Sequence, residues 1–219
     1  MFTGLIETTG KLLAITPTAG ATRITIASPT LTSSPQHRRQ HRSQRRLPHR
    51  PQYRAERLPP RFSADLAAET IARTTLTHLR PDAILNLELP TPAGSPLGGH
   101  VVQGHVDGTA TLISLTPITP NQPDTDWRLR IQLPDTLTRY VVPQGSITIE
   151  GISLTVASIV DNVVEAAIIP HTYAATSLHT LTPGAPLNIE VDVLSKYAER
   201  QHSAEKFTLT EKFLIANGY

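Results

Sequence analysis

From residue 98 onward, apolar and polar positions alternate in short bursts. "GTATLISL" (108–115), "WRLRIQL" (127–133), "GSITIE" (145–150), "ISLTVAS" (152–158), "VVEAAII" (163–169) and "LNIEVDV" (187–193) are rich in Val, Ile and Thr, and turn residues separate them. A period of two in runs this short predicts strands with one face inward. Six such strands in so short a span predict a small closed barrel or sandwich. "TYAATSL" (172–178) predicts a single helical turn between strands. The tail breaks the pattern. In "TLTEKFLIANG" (208–218), Thr208 and Glu211 stand in capping-box register, Leu209, Phe213 and Ala216 share a face, and Gly218 is a stop. That is a short amphipathic helix, suited either to packing on its own domain or to assembly with other subunits.

The alternation recurs about one hundred residues apart. "DLAAETIARTTLTHLRPDAILNLELP" (65–90) aligns without a gap on "AIIPHTYAATSLHTLTPGAPLNIEVD" (167–192), with Thr70/Thr172, Thr74/Thr176, Leu76/Leu178, Leu85/Leu187, Asn86/Asn188 and Glu88/Glu190 among the identities. "TGLIETTGKL" (3–12) lies over "QGHVDGTATL" (103–112), and "RITIASP" (23–29) over "RLRIQLP" (128–134). This is a tandem duplication. The expected domains are 1–97, 98–193 and a tail, 194–219, joined through the Pro- and Gly-rich "TPAGSPLGG" (91–99).

One stretch departs from its copy. "PQHRRQHRSQRRLPHRPQYRAERLPPR" (35–61) holds nine of the sixteen arginines and one acidic residue. The net charge of +2 therefore averages a strongly basic segment with a net acidic remainder, and the pI near 9.1 describes the segment rather than the body. The second copy has "GSITIEGISLTVASIVDNVVEAA" at the equivalent place and a similar length, so the basic run replaces barrel sequence instead of extending it. Back-translation offers a cause. "QRRLPHR" (44–50) can be written CAA CGG CGT CTG CCT CAC CGN, and one nucleotide later this reads Asn-Gly-Val-Cys-Leu-Thr, against Glu-Gly-Ile-Ser-Leu-Thr at 150–155. Two compensating frameshifts are one reading. A native basic loop and a nucleic-acid-binding arm are the others, the last disfavoured by a single aromatic, five prolines and no recognisable binding module. Arginines on core-facing positions would each cost several kcal/mol unless paired, on the order of a buried unpaired polar group or more.

Composition adds exclusions. With no Cys there is no disulfide framework or thiolate metal site. "MFTGLIETTGK" does not read as a signal peptide, and no run of apolar residues is long enough to span a bilayer, so the expected compartment is the cytoplasm.

"MFTGLIE", "GGHVVQGHVDG" (98–108), "EGISLTV" (150–156), "IPHT" (169–172), "LNIEVD" (187–192) and "LTEKFLIANGY" (209–219), in this order and on a duplicated chain, resemble the alpha-type riboflavin synthases, built of two lumazine-binding repeats. The resemblance covers the chain except 35–61, and the shifted frame's Asn-Gly-Val-Cys-Leu-Thr matches the family's first-repeat motif. It implies an all-β fold of two tandem six-stranded Greek-key β-barrels plus a short C-terminal helix that drives a homotrimer. It implies dismutation of two 6,7-dimethyl-8-ribityllumazine molecules to riboflavin and a ribitylaminopyrimidine, with one molecule in each barrel. The site would lie between the first barrel of one subunit and the second barrel of its neighbour. No cofactor and no metal are implied, nor any nucleic-acid or membrane partner. Association with lumazine synthase is a further implied partnership.

Motif by motif, the resemblance places His105, Ser153, Thr155 and Asp192 at catalytic positions. It makes Phe2 and Thr3 a cover for the neighbour's site. Main-chain or pocket contacts to the ring fall to Gly4, Leu5 and Ile6; to Asp65, Leu66, Ala67, Ala68, Glu69 and Thr70; to Gly104 and Val106; to Leu154; and to Ala167, Ile168, Ile169, Pro170, His171 and Thr172. His100, on the joint, is a weaker candidate. Gln144 stands where the family usually has a lysine, which removes a cation beside the second pocket. The missing first-repeat motif is graver, because its Cys and Thr help form the first pocket. The expectation is a riboflavin synthase impaired in that pocket. The alternative is a non-catalytic lumazine or flavin binder. Sequencing the gene across codons 30–65 checks the frameshift reading: a shifted frame there spells a strand pair containing Asn-Gly-Val-Cys-Leu-Thr, and a gene in which no frame does so refutes it.

Overall fold

The computed structural model describes residues 1–28 and 60–203. Residues 35–59 and the expected tail helix at 208–218 lie outside the described residues. The second repeat holds β5 (Gly108–Pro117), β6 (Trp127–Gln132), β7 (Ser146–Ile149), β8 (Ile152–Val160), β9 (Val163–Ile168) and β10 (Pro186–Val191). They close into a barrel in the order β10-β5-β6-β9-β8-β7, every neighbouring pair antiparallel. The alternation read from the sequence is the reason. In β6, Leu129 and Ile131 point inward while Arg128 and Arg130 point out, to Glu165 on β9. In β8, Ile152, Leu154 and Val156 fill the barrel, which leaves Ser153 and Thr155 outside. Leu112, Leu187, Ile189 and Leu178 complete a continuous core.

The first repeat holds β1 (Thr8–Thr18), β2 (Ala21–Ala27), β3 (Arg61–Leu66) and β4 (Ile84–Leu87), in the order β3-β2-β1-β4. This is the arrangement of β9-β6-β5-β10, so the described part of the first repeat is a curled four-stranded sheet. Of the two six-stranded barrels expected, the described residues show one closed barrel and, in the first repeat, a curled four-stranded sheet. The counterparts of β7 and β8 would fall within residues 29–59, outside the described set. The two cores differ among the described residues. Leu12, Ile24 and Ile26 are buried, but Ile15, Phe62, Leu66, Leu85 and Leu87 around them are only partly so.

Duplication extends to irregularities. β1 bulges between Leu12 and Ala14, and β5 between Leu112 and Ser114. Helix α1 (Ala68–Arg73) is followed by a 3-10 turn at Thr75–His78, and α3 (Pro170–Ala175) by another at Ser177–Thr180. The single helical turn expected at 172–178 is thus two short helical elements. Thr74 and Thr176 cap the 3-10 turns by accepting from Leu76 N and Leu178 N. Two further helices, α2 (Asp135–Thr138) and α4 (Val193–Ser203), carry no apolar pattern that had marked them.

The repeats are joined by exchanged bonds. Phe2 and Val102 bond each other's backbone at 2.8 and 3.1 Å. Asn86 accepts from Ser177 N at 2.7 Å and donates to the Glu150 carbonyl at 2.9 Å. Asn188 accepts from Thr75 N at 2.8 Å and donates to Thr75 Oγ1 at 2.7 Å. Each asparagine reaches into the opposite repeat. Glu150 sits at this seam and accepts from Asn188 N at 2.5 Å.

Burial raises the Glu150 carboxyl above its usual value, only partly offset by its hydrogen bonds from Asn188. The folded state therefore binds a proton more readily than the unfolded chain, and stability falls as pH rises from the ordinary Glu value through the raised one. Glu150→Gln keeps an acceptor and removes the charge. It should raise the urea midpoint at neutral pH, by an amount that shrinks as pH falls through that window; urea titrations from pH 4 to 8 check both the sign and the window.

Candidate functional site

The outward face of β8 carries the two expected hydroxyls. Thr155 is open to solvent and pairs with Ser146 on β7. Ser153 is half-buried because two segments cross it. His100 Nδ1 lies 2.7 Å from Ser153 Oγ, and His100 Nε2 lies 3.0 Å from Thr148 Oγ1 on β7. The Gly4 carbonyl accepts from Ser153 N at 2.8 Å. Burial pushes the His100 imidazole below its ordinary value, against the opposing pull of Asp192 and Glu190.

Residues 2–6 form a strap whose course is set by a carboxylate. Glu88, just past the end of β4, accepts from Thr3 N at 2.7 Å, Thr3 Oγ1 at 2.8 Å and Gly4 N at 2.9 Å. Gly4 has φ +74, and a Cβ there would sit 2.6 Å from the Ser153 Cβ, so this close approach needs glycine. Leu5 is exposed, and Ile6 packs on the barrel core. The strap lies on the second barrel of its own chain, with the Gly4 carbonyl accepting from Ser153 N. The second repeat copies the device. Glu190, buried on β10, accepts from Gln103 N, Gly104 N and His105 N at 2.6, 3.0 and 2.9 Å. Gly104 has φ +81.

That second turn faces the first repeat. His105, exposed, lines a cleft of about 500 Å³ with Gly104, Val106, Glu69, Thr70 and Arg73, in which α1 supplies the far wall. A cavity of about 200 Å³ lies between the strap and the barrel, lined by Phe2, Ile6, Val102, Gly104, Thr148 and Glu190 among others. The structure thus brings His105 to Glu69 and Thr70, and Ser153 to His100 and Thr148.

The remaining expected residues divide between open and structural places. Ala167, Ile169 and His171 are exposed at the end of β9 and on α3, beside the outward face of β8; Pro170 opens α3, and the Thr172 carbonyl accepts from Thr176 Oγ1. Ile168 and Leu154 point into the core. Tyr173 stacks on Trp127 with centroids 3.7 Å apart and holds α3 to the barrel. Asp65 is exposed and bonded twice to Arg23, whose guanidinium holds the carboxyl below its usual range. Leu66 ends β3, Ala67 precedes α1, and Ala68 and Glu69 lie in its first turn, with Glu69 paired to Arg73. Gln144 is exposed with φ +64, its N–H bonded to the Val156 carbonyl. Asp192 caps α4 by accepting from Leu194 N at 2.9 Å. Among the described residues no group of three or more His, Cys, Asp or Glu is placed to hold a metal ion, and no helix is long and apolar enough to cross a membrane.

Comparison with known proteins decides the family. The model of the lumazine binding domain matches residues 103–192, the closed barrel and the turn before it. Riboflavin synthase of Mycobacterium tuberculosis (strain ATCC 25618 / H37Rv) is 38% identical over 205 residues, covering 91% of this chain and 97% of that protein. The chain belongs to the riboflavin synthase family. Riboflavin synthase of Bacillus amyloliquefaciens is 34% identical over 224 residues, covering all of both chains. Among solved structures, LumP complexed with riboflavin superposes with a TM-score of 0.66 over 87% of this chain and 99% of that one, at 21% identity, and so shares the fold.

Within a riboflavin synthase frame, the residue that the motifs undervalued is His100. It is the side chain nearest the Ser153 hydroxyl, and the signal that could have found it is its place three residues before the Gln103–His105 turn that Glu190 anchors. The strap is the other addition, and it is open to test. Gly4→Ala should displace residues 2–6 from β8 while the barrel persists. Hydrogen exchange at the Ser153 amide, now bonded to Gly4, should accelerate at least tenfold with the amides of β5 and β6 unchanged.

Proposed function

We propose that this chain is a riboflavin synthase that binds 6,7-dimethyl-8-ribityllumazine on the outward face of the second barrel and dismutates two such molecules to riboflavin and 5-amino-6-ribitylaminopyrimidinedione. The observation that carries the reading is the 38% identity to a riboflavin synthase across nearly the whole chain, together with a closed lumazine-binding barrel. The chemistry suits the residues. The C7 methyl of the lumazine is acidic because its anion delocalises into the ring, so a positioned hydroxyl or modest base is enough to remove the proton. Holding two flat rings together supplies much of the rate, with proximity worth about 7–11 kcal/mol at best. Thr155, Ser153 and the exposed main chain around Ala167 and Ile169 offer hydrogen-bonding edges for one ring. Asp192 serves the ribityl chain, and His105 with α1 serves the pocket of the first repeat.

Domain bounds, strand topology and assembly join the same reading. The domains are 1–97, 98–193 and 194–219. The barrel is a Greek key, supported by β6 and β7 being non-adjacent. The chain acts as a cytoplasmic homotrimer, with lumazine synthase as a further partner. The first pocket is the weak point, since residues 29–59 carry the Arg-rich sequence where β7 and β8 have their hydroxyls and apolar residues.

Ligand stoichiometry and turnover test this. The expected result is one tightly bound ribityllumazine per chain, slow riboflavin formation, and a gain of at least tenfold in rate when residues 35–61 are replaced by their frame-restored sequence. A bound lumazine with no turnover in either form would make the protein a pteridine binder, and equal rates in the two would show the Arg-rich sequence to be harmless.

A further inference from the structure

His100 lies on the joint between the repeats, three residues before the Gln103–His105 turn. The ring nitrogens are both engaged, Nδ1 with Ser153 Oγ at 2.7 Å and Nε2 with Thr148 Oγ1 at 3.0 Å. Thr148 is buried on β7, and Glu190 and Asp192 stand near the ring on β10 and at the start of α4. A neutral imidazole has one N–H and one bare nitrogen, so the side that carries the proton decides what Ser153 can do.

We propose that His100 is a positioning residue that donates its Nε2–H to Thr148 and accepts the Ser153 hydroxyl at Nδ1, turning the Ser153 oxygen lone pairs outward as a proton acceptor for the lumazine held on the second barrel. This rests on the riboflavin synthase reading for the ligand, although the proton arrangement itself does not. The step balances. A C–H bond of the C7 methyl breaks, its electron pair delocalises into the ring, and the proton passes to Ser153 Oγ as that hydroxyl's own proton moves to His100 Nδ1. The imidazolium so formed faces the carboxylates of Asp192 and Glu190, and returning the protons restores every group. With the opposite tautomer, Ser153 would accept from His100 and could only donate to the ligand. Ser153 and Thr155 occupy the same outward face of β8, so a ring laid against Thr155 reaches Ser153 at its covered end.

Two measurements test this. First, ¹⁵N-histidine NMR of the full chain without ligand reads the tautomer. His100 is assigned by the signal lost in His100→Gln or, should that variant not fold, by the signal that moves in both Ser153→Ala and Thr148→Val. The expected result is a neutral ring protonated at Nε2 at pH 7, with Nδ1 shifting in Ser153→Ala. A ring protonated at Nδ1, or a Nδ1 signal indifferent to Ser153→Ala, overturns the proposal. Second, exchange of C7-methyl protons of 6,7-dimethyl-8-ribityllumazine for deuterium is followed in D₂O, which needs only one occupied barrel. Protein-catalysed exchange should fall at least tenfold in Ser153→Ala and in His100→Gln, with no further loss in the double variant, and its acidic limb should follow the NMR titration of His100. Independent, multiplying losses or an unchanged pH profile also overturn it. If ribityllumazine fails to bind, the riboflavin synthase reading falls, and the tautomer in the free protein still decides the His100 arrangement.

Discussion

The pairing of β10 on both its edges is the constraint on which the described structure depends. It bonds β5 through residues 186–189 and β7 through residues 189–191, and so turns a curled sheet into a ring with no free edge. A closed ring can bury Leu112, Leu129, Ile131, Ile147, Leu187 and Ile189 almost completely. It also gives β10 a second duty. Its Glu190 collects three backbone N–H groups from the Gln103–His105 turn, and Asn188 reaches across to Thr75. Barrel closure and the placing of the site segments are one event on one strand.

In the first repeat, closure is not achieved among the described residues, and the polar and apolar contacts respond differently. The first repeat retains the same asparagine and glutamate, on β4 and just past its end, and Asn86 and Glu88 make the corresponding bonds to Ser177 and to the strap. These polar anchors are local and survive the altered neighbouring sequence. The apolar core is less complete among the described residues, with Phe62, Leu66, Leu85 and Leu87 only partly buried. Hydrogen bonds to a fixed turn depend on a few atoms, whereas burial depends on area from many residues. The second barrel is thus the closed, well-packed frame among the described residues.

His100 and the strap illustrate a division of labour on the outside of the ring. The inward residues of β8 fix the strand, and the outward ones, Ser153 and Thr155, stand clear of the core. Ser153 is then conditioned by segments far away in the chain, the strap from its start and the joint between repeats. A partly desolvated imidazole beside a hydroxyl and two carboxylates is an arrangement in which small shifts of a proton matter.

Much of this was legible in the sequence because its signals are periodic or repeated. The strands at 108–191 follow from alternation, and the copy at 8–87 follows from Asn86/Asn188 and Glu88/Glu190 standing in register. The anomaly at 35–61 was plain from charge alone, since nine arginines cannot line a buried face. What alternation cannot convey is which outward residues meet. Ser153 was readable as an outward hydroxyl, but its pairing with His100 depends on the path of a non-periodic joint, and the course of the strap depends on Glu88 catching the Thr3 and Gly4 amides. Helix α4, with no apolar stripe, was equally silent. The amino-acid order determined the barrel's strands and its duplication through local period; tertiary structure alone decided the contacts between segments a hundred residues apart, because those are set by how a closed ring directs its loops.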